Sequence, residues 1–161
     1  MMSEETLAEQ LLTVELVADT IEAIDNLTDA YGVYASDASS NNVDITEAGV
    51  TLGKEAMRLA LIGNGVFDPG WALTRLPASL IAFWGAVALG LAASFPGATT
   101  IVPPPHATFA VNFVPLMASN TANEVSAEEA ADSLAALMHI NASGVAAGGT
   151  VTFGVPTFPI L

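Results

Sequence analysis

Apolar positions along the chain change their spacing three times, and each change marks an element. Over residues 3–31 they fall at Leu7, Leu11, Val14, Ala18 and Ile21, extended by Val17, Ile24 and Tyr31. Glu5, Glu9, Glu15, Asp19, Glu22, Asp25 and Asp29 occupy much of the remaining surface. Spacing of three to four residues predicts one long acidic amphipathic helix. Ser3 is placed to cap it, and Glu4 and Glu5 suit the positive end of its dipole. Asp25 and Asp29 stand at the unfavourable end, which calls for a cation or solvent beside them.

Residues 32–45 are rich in Ser, Asn and Asp and read as a loop. Asp44-Ile45-Thr46-Glu47 then resembles a capping box for a second helix reaching about Asn64. Its apolar face is Met57, Leu61 and Val50; Lys54 and Arg58 lie one turn apart elsewhere, and Gly49 and Gly53 weaken its first half, which moves the expected start toward Thr51. Gly63 and Gly65 end it, and Phe67 to Gly70 form a turn. Pro77 is expected at the first position of a third helix, a block from Leu76 to Phe95 stopped by Pro96-Gly97. Within it Ala78, Ala82, Ala86, Gly90 and Ser94 recur every fourth residue, a ladder that lets another backbone approach. Large side chains, Phe83 and Trp84 among them, clothe the rest.

Beyond this block the period shortens. Pro103-Pro104-Pro105 reads as an extended surface segment. Phe109, Val111 and Phe113 alternate with Thr108, Ala110 and Asn112, which predicts a strand over 106–114 closed by Pro115. Ser126-Ala127-Glu128-Glu129 opens a capped helix to about Ile140, with Leu134, Leu137 and Met138 as its apolar stripe. Thr150 to Val155 reads as a second short strand, followed by an apolar tail. The expected fold is α+β, mainly helical: a long acidic amphipathic helix, a second helix, a central apolar helix, then short strands and one capped helix. No linker divides the chain, so a single domain over 1–161 is expected, with a helical part over 1–95 and a mixed strand and helix part over 96–161.

Composition sharpens this picture. Hydrophobic residues make up 52% and charged residues 12%, against about 25% charged in ordinary soluble domains. Residues 76–123 contain no Asp, Glu, Lys or Arg at all. So much apolar surface is hard for a solitary domain of this size to cover. The net charge is −14, with Lys54, Arg58 and Arg75 the only Lys or Arg residues. That balance argues against a nucleic-acid partner and disfavours anionic head groups. Cysteine is absent, which excludes disulfides and thiolate chemistry. The acidic start MMSEE is unlike a secretion signal, so the Asn26-Leu27-Thr28 and Asn141-Ala142-Ser143 glycosylation patterns read as chance matches.

Candidate chemistry is thin. Gly63-Asn64-Gly65 with Gly70 lacks the spacing and the Lys-Ser/Thr ending of a phosphate loop. Asp37, Ser39 and Asn41 match the first positions of a calcium loop, but Asn42 stands where Gly is needed and Ala48 where a bidentate Glu is needed. His106 and His139 have no ligand partners nearby in sequence, and the acids of the first helix have no histidine beside them. The expectation is a protein that is not an enzyme, with no catalytic, cofactor-binding or metal-ligating residue.

What remains is what covers the apolar block. Twenty residues at about 1.5 Å each span about 30 Å, the thickness of a bilayer core. Trp84, however, lies mid-span, and no basic residue follows. The expectation is a non-enzymatic structural subunit of a self-assembling particle, a virion, capsid or filament component. Ala78, Ala82, Ala86, Gly90 and Ser94, with Phe83 and Trp84, would pack against itself or other structural subunits, and Lys54, Arg58 and Arg75 would serve any electrostatic docking. The first alternative is a small integral membrane protein with one transmembrane helix at 76–95 and a lipid bilayer as partner. The second is a soluble enzyme or binding domain without a recognisable motif. Location follows function: an assembled particle first, a membrane second.

Overall fold

In the computed structural model, which describes residues 1–14, 21–63 and 70–161, helices dominate and the strands are short. The fold is α+β and mainly helical. Helix α1 (Glu4–Leu11) starts where Thr6 N–H donates to Ser3 Oγ (3.4 Å) and ends in a turn closed by Val14 N–H on Leu11 O (3.0 Å). Helix α2 (Ile21–Ser36) packs beside α1. The single helix expected over 3–31 is therefore two, because one straight helix cannot lay its halves side by side. Glu15, Val17, Ala18 and Asp19 lie outside the described residues. α2 runs past its expected end at Tyr31 because Tyr34 and Ala35 continue its buried face.

The loop expected over 32–45 is the end of α2 followed by a tight hairpin, β1 (Ser39–Ser40) with β2 (Val43–Asp44). Asn41 and Asn42 make its turn at φ 52° and 60°, the left-handed region that two-residue hairpin turns demand and Asn tolerates. Thr46 caps α3 (Glu47–Ile62), accepting from Gly49 N–H (3.0 Å). Its hydroxyl also donates to Ala93 O. α3 ends at Gly63, φ 65°; Asn64, Gly65 and the turn residues 67–69 fall outside the described residues.

Helix α4 (Trp71–Leu89) starts before Pro77, which sits inside it and not at its first position. Trp71, Ala72 and Leu76 extend the buried row of Leu80, Phe83, Trp84 and Val87 backwards. That burial outweighs the local preference of proline, whose missing N–H frees the Leu73 carbonyl from its helical donor. The apolar block is also not one helix, since it breaks at Gly90 and Leu91 (φ 31°) into a single turn, α5 (Leu91–Ser94).

Residues expected as a strand over 106–114 instead enter α6 (Phe109–Ala122), again with a proline, Pro115, inside. Phe109 and Phe113, four residues apart, share a face in a helix as well as in a strand. Their buried rings stack at 5.1 Å, while Val111 between them is 68% exposed. α7 (Ala127–Ala142) opens with both arms of its capping box, Glu129 N–H on Ser126 Oγ (3.2 Å) and Ser126 N–H on the Glu129 carboxylate (3.0 Å).

A three-stranded antiparallel sheet, ordered β3 (Thr100–Val102), β4 (Thr150–Thr152), β5 (Thr157–Pro159), aligns Ile101, Val151 and Phe158. The strand expected over 150–155 stops at Thr152, where a turn closed by Phe153 N–H on Pro156 O (3.2 Å) leads into β5. The apolar tail is stitched down. Ile160 is buried, and Leu161 exchanges two hydrogen bonds with Ser39 (2.9 and 3.0 Å). Buried residues from Met2 to Ile160 form one cluster.

Candidate functional surface

The buried side of α4 belongs to the chain's own core. Trp84 Nε1–H donates to the Tyr31 hydroxyl (2.8 Å), and Phe83 meets the Tyr31 ring edge-on at 5.0 Å. Tyr34, 5.4 Å from Tyr31, has its hydroxyl 2.8 Å from His139 Nδ1, tying α2 to α7. Burial raises the pKa of both tyrosines above that of an ordinary phenol, so both stay protonated. Phe83 and Trp84, expected at an interface between subunits, are enclosed by their own helices.

Close helix approach does occur, but the glycines that permit it are on α3. A Cβ at Gly53 would lie 2.6 Å from the Phe83 ring, and one at Gly49 2.8 Å from the Ser94 backbone. Gly53 lets α3 lie close along α4, its most extensive partner, and Gly49, four residues before it, lets α3 approach Ser94 of α5. Sequence reasoning treated them only as helix-weakening; their four-residue spacing was the available signal. The ladder on α4 runs obliquely from solvent into that seam: Ala78 is exposed, Ala82, Ala86 and Gly90 are half-buried, and Ser94 is buried.

All three cations are engaged within the chain. Lys54 Nζ pairs with Asp29 (2.6 Å) and Arg58 Nε with Asp25 (2.5 Å). The hydrogen bond to Asp25 and its charge raise the Arg58 pKa. The cations expected beside Asp25 and Asp29 are therefore present, although both acids lie away from the C-terminal end of α2. With Thr28, Thr51 and Glu55 they line an open cleft of about 370 Å³. Arg75 Nη1 donates to Leu61 O (3.0 Å) and Ile62 O (2.6 Å), where a positive charge suits the C-terminal end of α3.

The two histidines do different work. His106, 4% exposed and at φ 49°, leads into α6, and its Nδ1–H donates to Pro104 O (2.9 Å). Its buried Nε2 has no hydrogen-bond partner. Burial pushes its pKa down to about 4, against a smaller opposing effect of the Pro104 bond. His139 is taken by Tyr34. Among the described residues no group of three or more acids or histidines could hold a metal ion. Asn141, of the second glycosylation pattern, is buried and accepts from Thr108 N–H (3.3 Å) and Oγ1–H (3.0 Å).

An exposed apolar surface lies elsewhere, on α6. Only Phe109 and Phe113 of that helix are buried; Val111, Val114, Pro115 and Ala118 face solvent. Between α6 and α7 runs a groove of about 530 Å³, walled by Asn112, Pro115 and Leu116 on one side and Ala136, Leu137 and Ile140 on the other. Leu73, Ile81 and Leu89 add exposed apolar side chains on α4. α4 is also long and apolar enough to cross a membrane, with mean hydropathy 1.5 and 39% of that stretch buried. Comparison with protein families, with curated proteins and with solved structures found no match.

Proposed function

We propose that the chain is a non-enzymatic structural subunit that assembles through an apolar, charge-free surface, as a component of a virion, capsid or filament. The observation that carries this reading is the exposed outer side of α6. It belongs to a stretch without a single charge, on a chain of net charge −14. Isolated exposed apolar residues need no explanation, but a helix that turns most of its surface outward and carries no charge does. With Lys54, Arg58 and Arg75 all engaged internally, the chain offers no free basic side chain to nucleic acid or anionic lipid, and protein is the partner that fits.

The membrane reading draws on α4. Spanning a bilayer would require withdrawing Leu76, Leu80, Phe83, Trp84 and Val87 from full burial and separating Trp84 from Tyr31. That cost falls on the core, and the packed fold is the better home for these residues. Detergent-free light scattering tests the proposal. Particles well above the 16.4 kDa chain mass, which pellet without lipid after a carbonate wash, are the expected result. A monodisperse 16.4 kDa species at all concentrations overturns it.

A further inference from the structure

We infer that His106 is an acid-operated latch on α6: a proton on its buried ring releases that helix from the body of the fold while α3 and α4 stay packed. This goes beyond the assembly reading and does not depend on it. Three observations carry it.

The first is the ring. Its Nδ1–H donates to Pro104 O (2.9 Å), so the neutral ring keeps Nε2 as an acceptor, and that buried atom has no partner among the described residues. A second proton would create a buried cation there, with an N–H that nothing accepts. The surrounding elements supply no counter-charge. α6 itself, β3 and the Gly148-Gly149 turn against Pro104 and Pro105 carry no Asp, Glu, Lys or Arg. On α4 the one cation, Arg75, is held by the end of α3. On α7, Glu128, Glu129 and Asp132 stand at the opposite end from Asn141, whose side chain meets Thr108 at the start of α6, and His139 is held by Tyr34. Glu4, Glu5 and Glu9 of α1, which packs on α7, face solvent. The ring therefore takes its second proton where it can reach water, outside the fold.

The second is the hinge. Upstream of His106 the chain is fixed. Ile101 and Val102 lie in the ladder with β4, and Pro104 is seated so closely on Gly149 that a Cβ there would be 2.6 Å from its ring. Downstream the hold is thin. α6 buries only Phe109 and Phe113, both in its first half, and Pro115 removes a helical hydrogen bond. Past Phe113, Asn120 Nδ2–H on Ser133 Oγ (3.0 Å) ties it to α7. His106, at φ 49°, is the joint between these two stretches. A segment with so few buried side chains opens at a lower free energy than the core it leaves.

The third is the sign of the proton linkage. The folded ring holds a proton more weakly than a free one, with a pKa of about 4 against 6.5, so opening is favoured as pH falls from 6.5 towards 4. Between pH 7.5 and 5 the opening equilibrium should rise about thirtyfold. The core beside α4 buries Tyr31 and Tyr34, which stay protonated throughout.

Hydrogen exchange of the full chain, read by mass spectrometry at pH 7.5, 6.5 and 5 and corrected for intrinsic rates, tests this. Peptides from residues 106–122 should lose protection about thirtyfold between pH 7.5 and 5, while peptides from α3 and α4 hold theirs. His106→Asn, which accepts the left-handed backbone and does not titrate, should make α6 protection independent of pH. With two histidines in the chain, the imidazole NMR signals of the wild type add a measurement that needs no variant: the ring of the closed form should remain neutral at pH 5. Equal loss in α4 and α6 means the whole fold opens together and overturns the latch. So does an α6 loss that persists in His106→Asn, an α6 that keeps its protection at pH 5, or a His106 ring that titrates near 6.5 while α6 stays protected.

Discussion

Helices α4 and α6 are alike in sequence and unlike in surroundings. Each is apolar, each carries a proline at its seventh residue, and from Leu76 onward neither contains a charge. α4 buries eight side chains and α6 only two. The difference lies in the neighbour. α3 brings Gly53 against Phe83 of α4 and Gly49 against Ser94 of α5, so the backbones close up and the large residues of α4 fill the space they define with α2. α7 offers α6 no such approach, and the pair leave a groove. Apolar composition alone therefore does not say whether a helix is core or surface; the small residues of the adjacent helix decide.

The most damaging way to break this contrast is at the aromatic cluster. Trp84→Ala should cost about 3–5 kcal/mol, the range for emptying a large buried aromatic site. Trp84→Phe, which keeps most of the volume but withdraws the donor from the Tyr31 hydroxyl, should cost about 1–3 kcal/mol. Gly53→Leu attacks from the other helix. With Phe83 only 2.6 Å from the new Cβ, α3 has to move off α4, at about 3 kcal/mol. Val111→Ala on α6 should stay within about 0.5 kcal/mol, as substitutions at exposed sites do. Urea denaturation of the four variants checks the order, and equal sensitivity of the two helices would mean α6 is packed as α4 is.

His106 gives α6 a dependence on pH that α4 lacks. Its folded pKa, about 4, lies below the ordinary 6.5, so the unfolded chain binds this proton more readily. The stability that depends on the neutral ring is fully present above pH 6.5 and is lost as pH falls from 6.5 towards 4. Over that window the loss is about 3 kcal/mol. No acid in residues 76–123 or 133–161 is placed to compensate the cation; Arg75 on α4 is held by α3, and His139 on α7 is held by Tyr34. His106→Asn tolerates the left-handed backbone, can still donate to Pro104 O and does not titrate. Acid melting curves of the variant should be shallower than wild type between pH 6.5 and 4. Identical curves would mean that the ring is hydrated.

Local hydrogen-bond chemistry was legible in the sequence, and long-range packing was not. The caps at Ser3 and Ser126 depend on residues three apart, and both helices begin where those residues stand; the box expected from Asp44 to Glu47 is instead the end of β2, and Thr46 caps α3. Asp25 and Asp29 read as late acids of a helix ending at Tyr31 and so in need of a cation. Arg58 and Lys54 do pair with them, but α2 runs from Ile21 to Ser36, so the acids stand near its start and middle and the helix dipole is not the reason. Phe109 and Phe113 misled because a four-residue separation satisfies both a helix and a strand. Only the exposure of Val111 separates the two. Pro77 and Pro115 misled because tertiary burial of the residues before them outweighs their preference for helix starts and strand ends. The alanine ladder drew attention from Gly49 and Gly53, since it is longer, though it is α3 that meets the Phe83 ring. Nothing in the sequence around His106 shows that the ring is buried.

The smallest expected effect separates packing from charge at the α2–α3 seam, where two ion pairs reinforce an apolar contact. The Lys54 stem lies across Gly32 of α2, close enough that a Cβ there would be 2.6 Å from Lys54 Cδ, while its ammonium reaches Asp29. A half-exposed pair of this kind contributes below about 1 kcal/mol and fades with salt. Lys54→Met removes the charge and keeps an apolar stem, so its cost should be a few tenths of a kcal/mol at low salt and vanish in high NaCl. Lys54→Ala loses the stem as well, uncovers the backbone at Gly32 and should cost more at every salt concentration. If both variants lose the same amount and salt abolishes both losses, the seam is held by charge. In that case α4 owes its burial partly to the ion pairs that fix α3, an anchorage for which α6 and α7 have no charged residues along their shared groove.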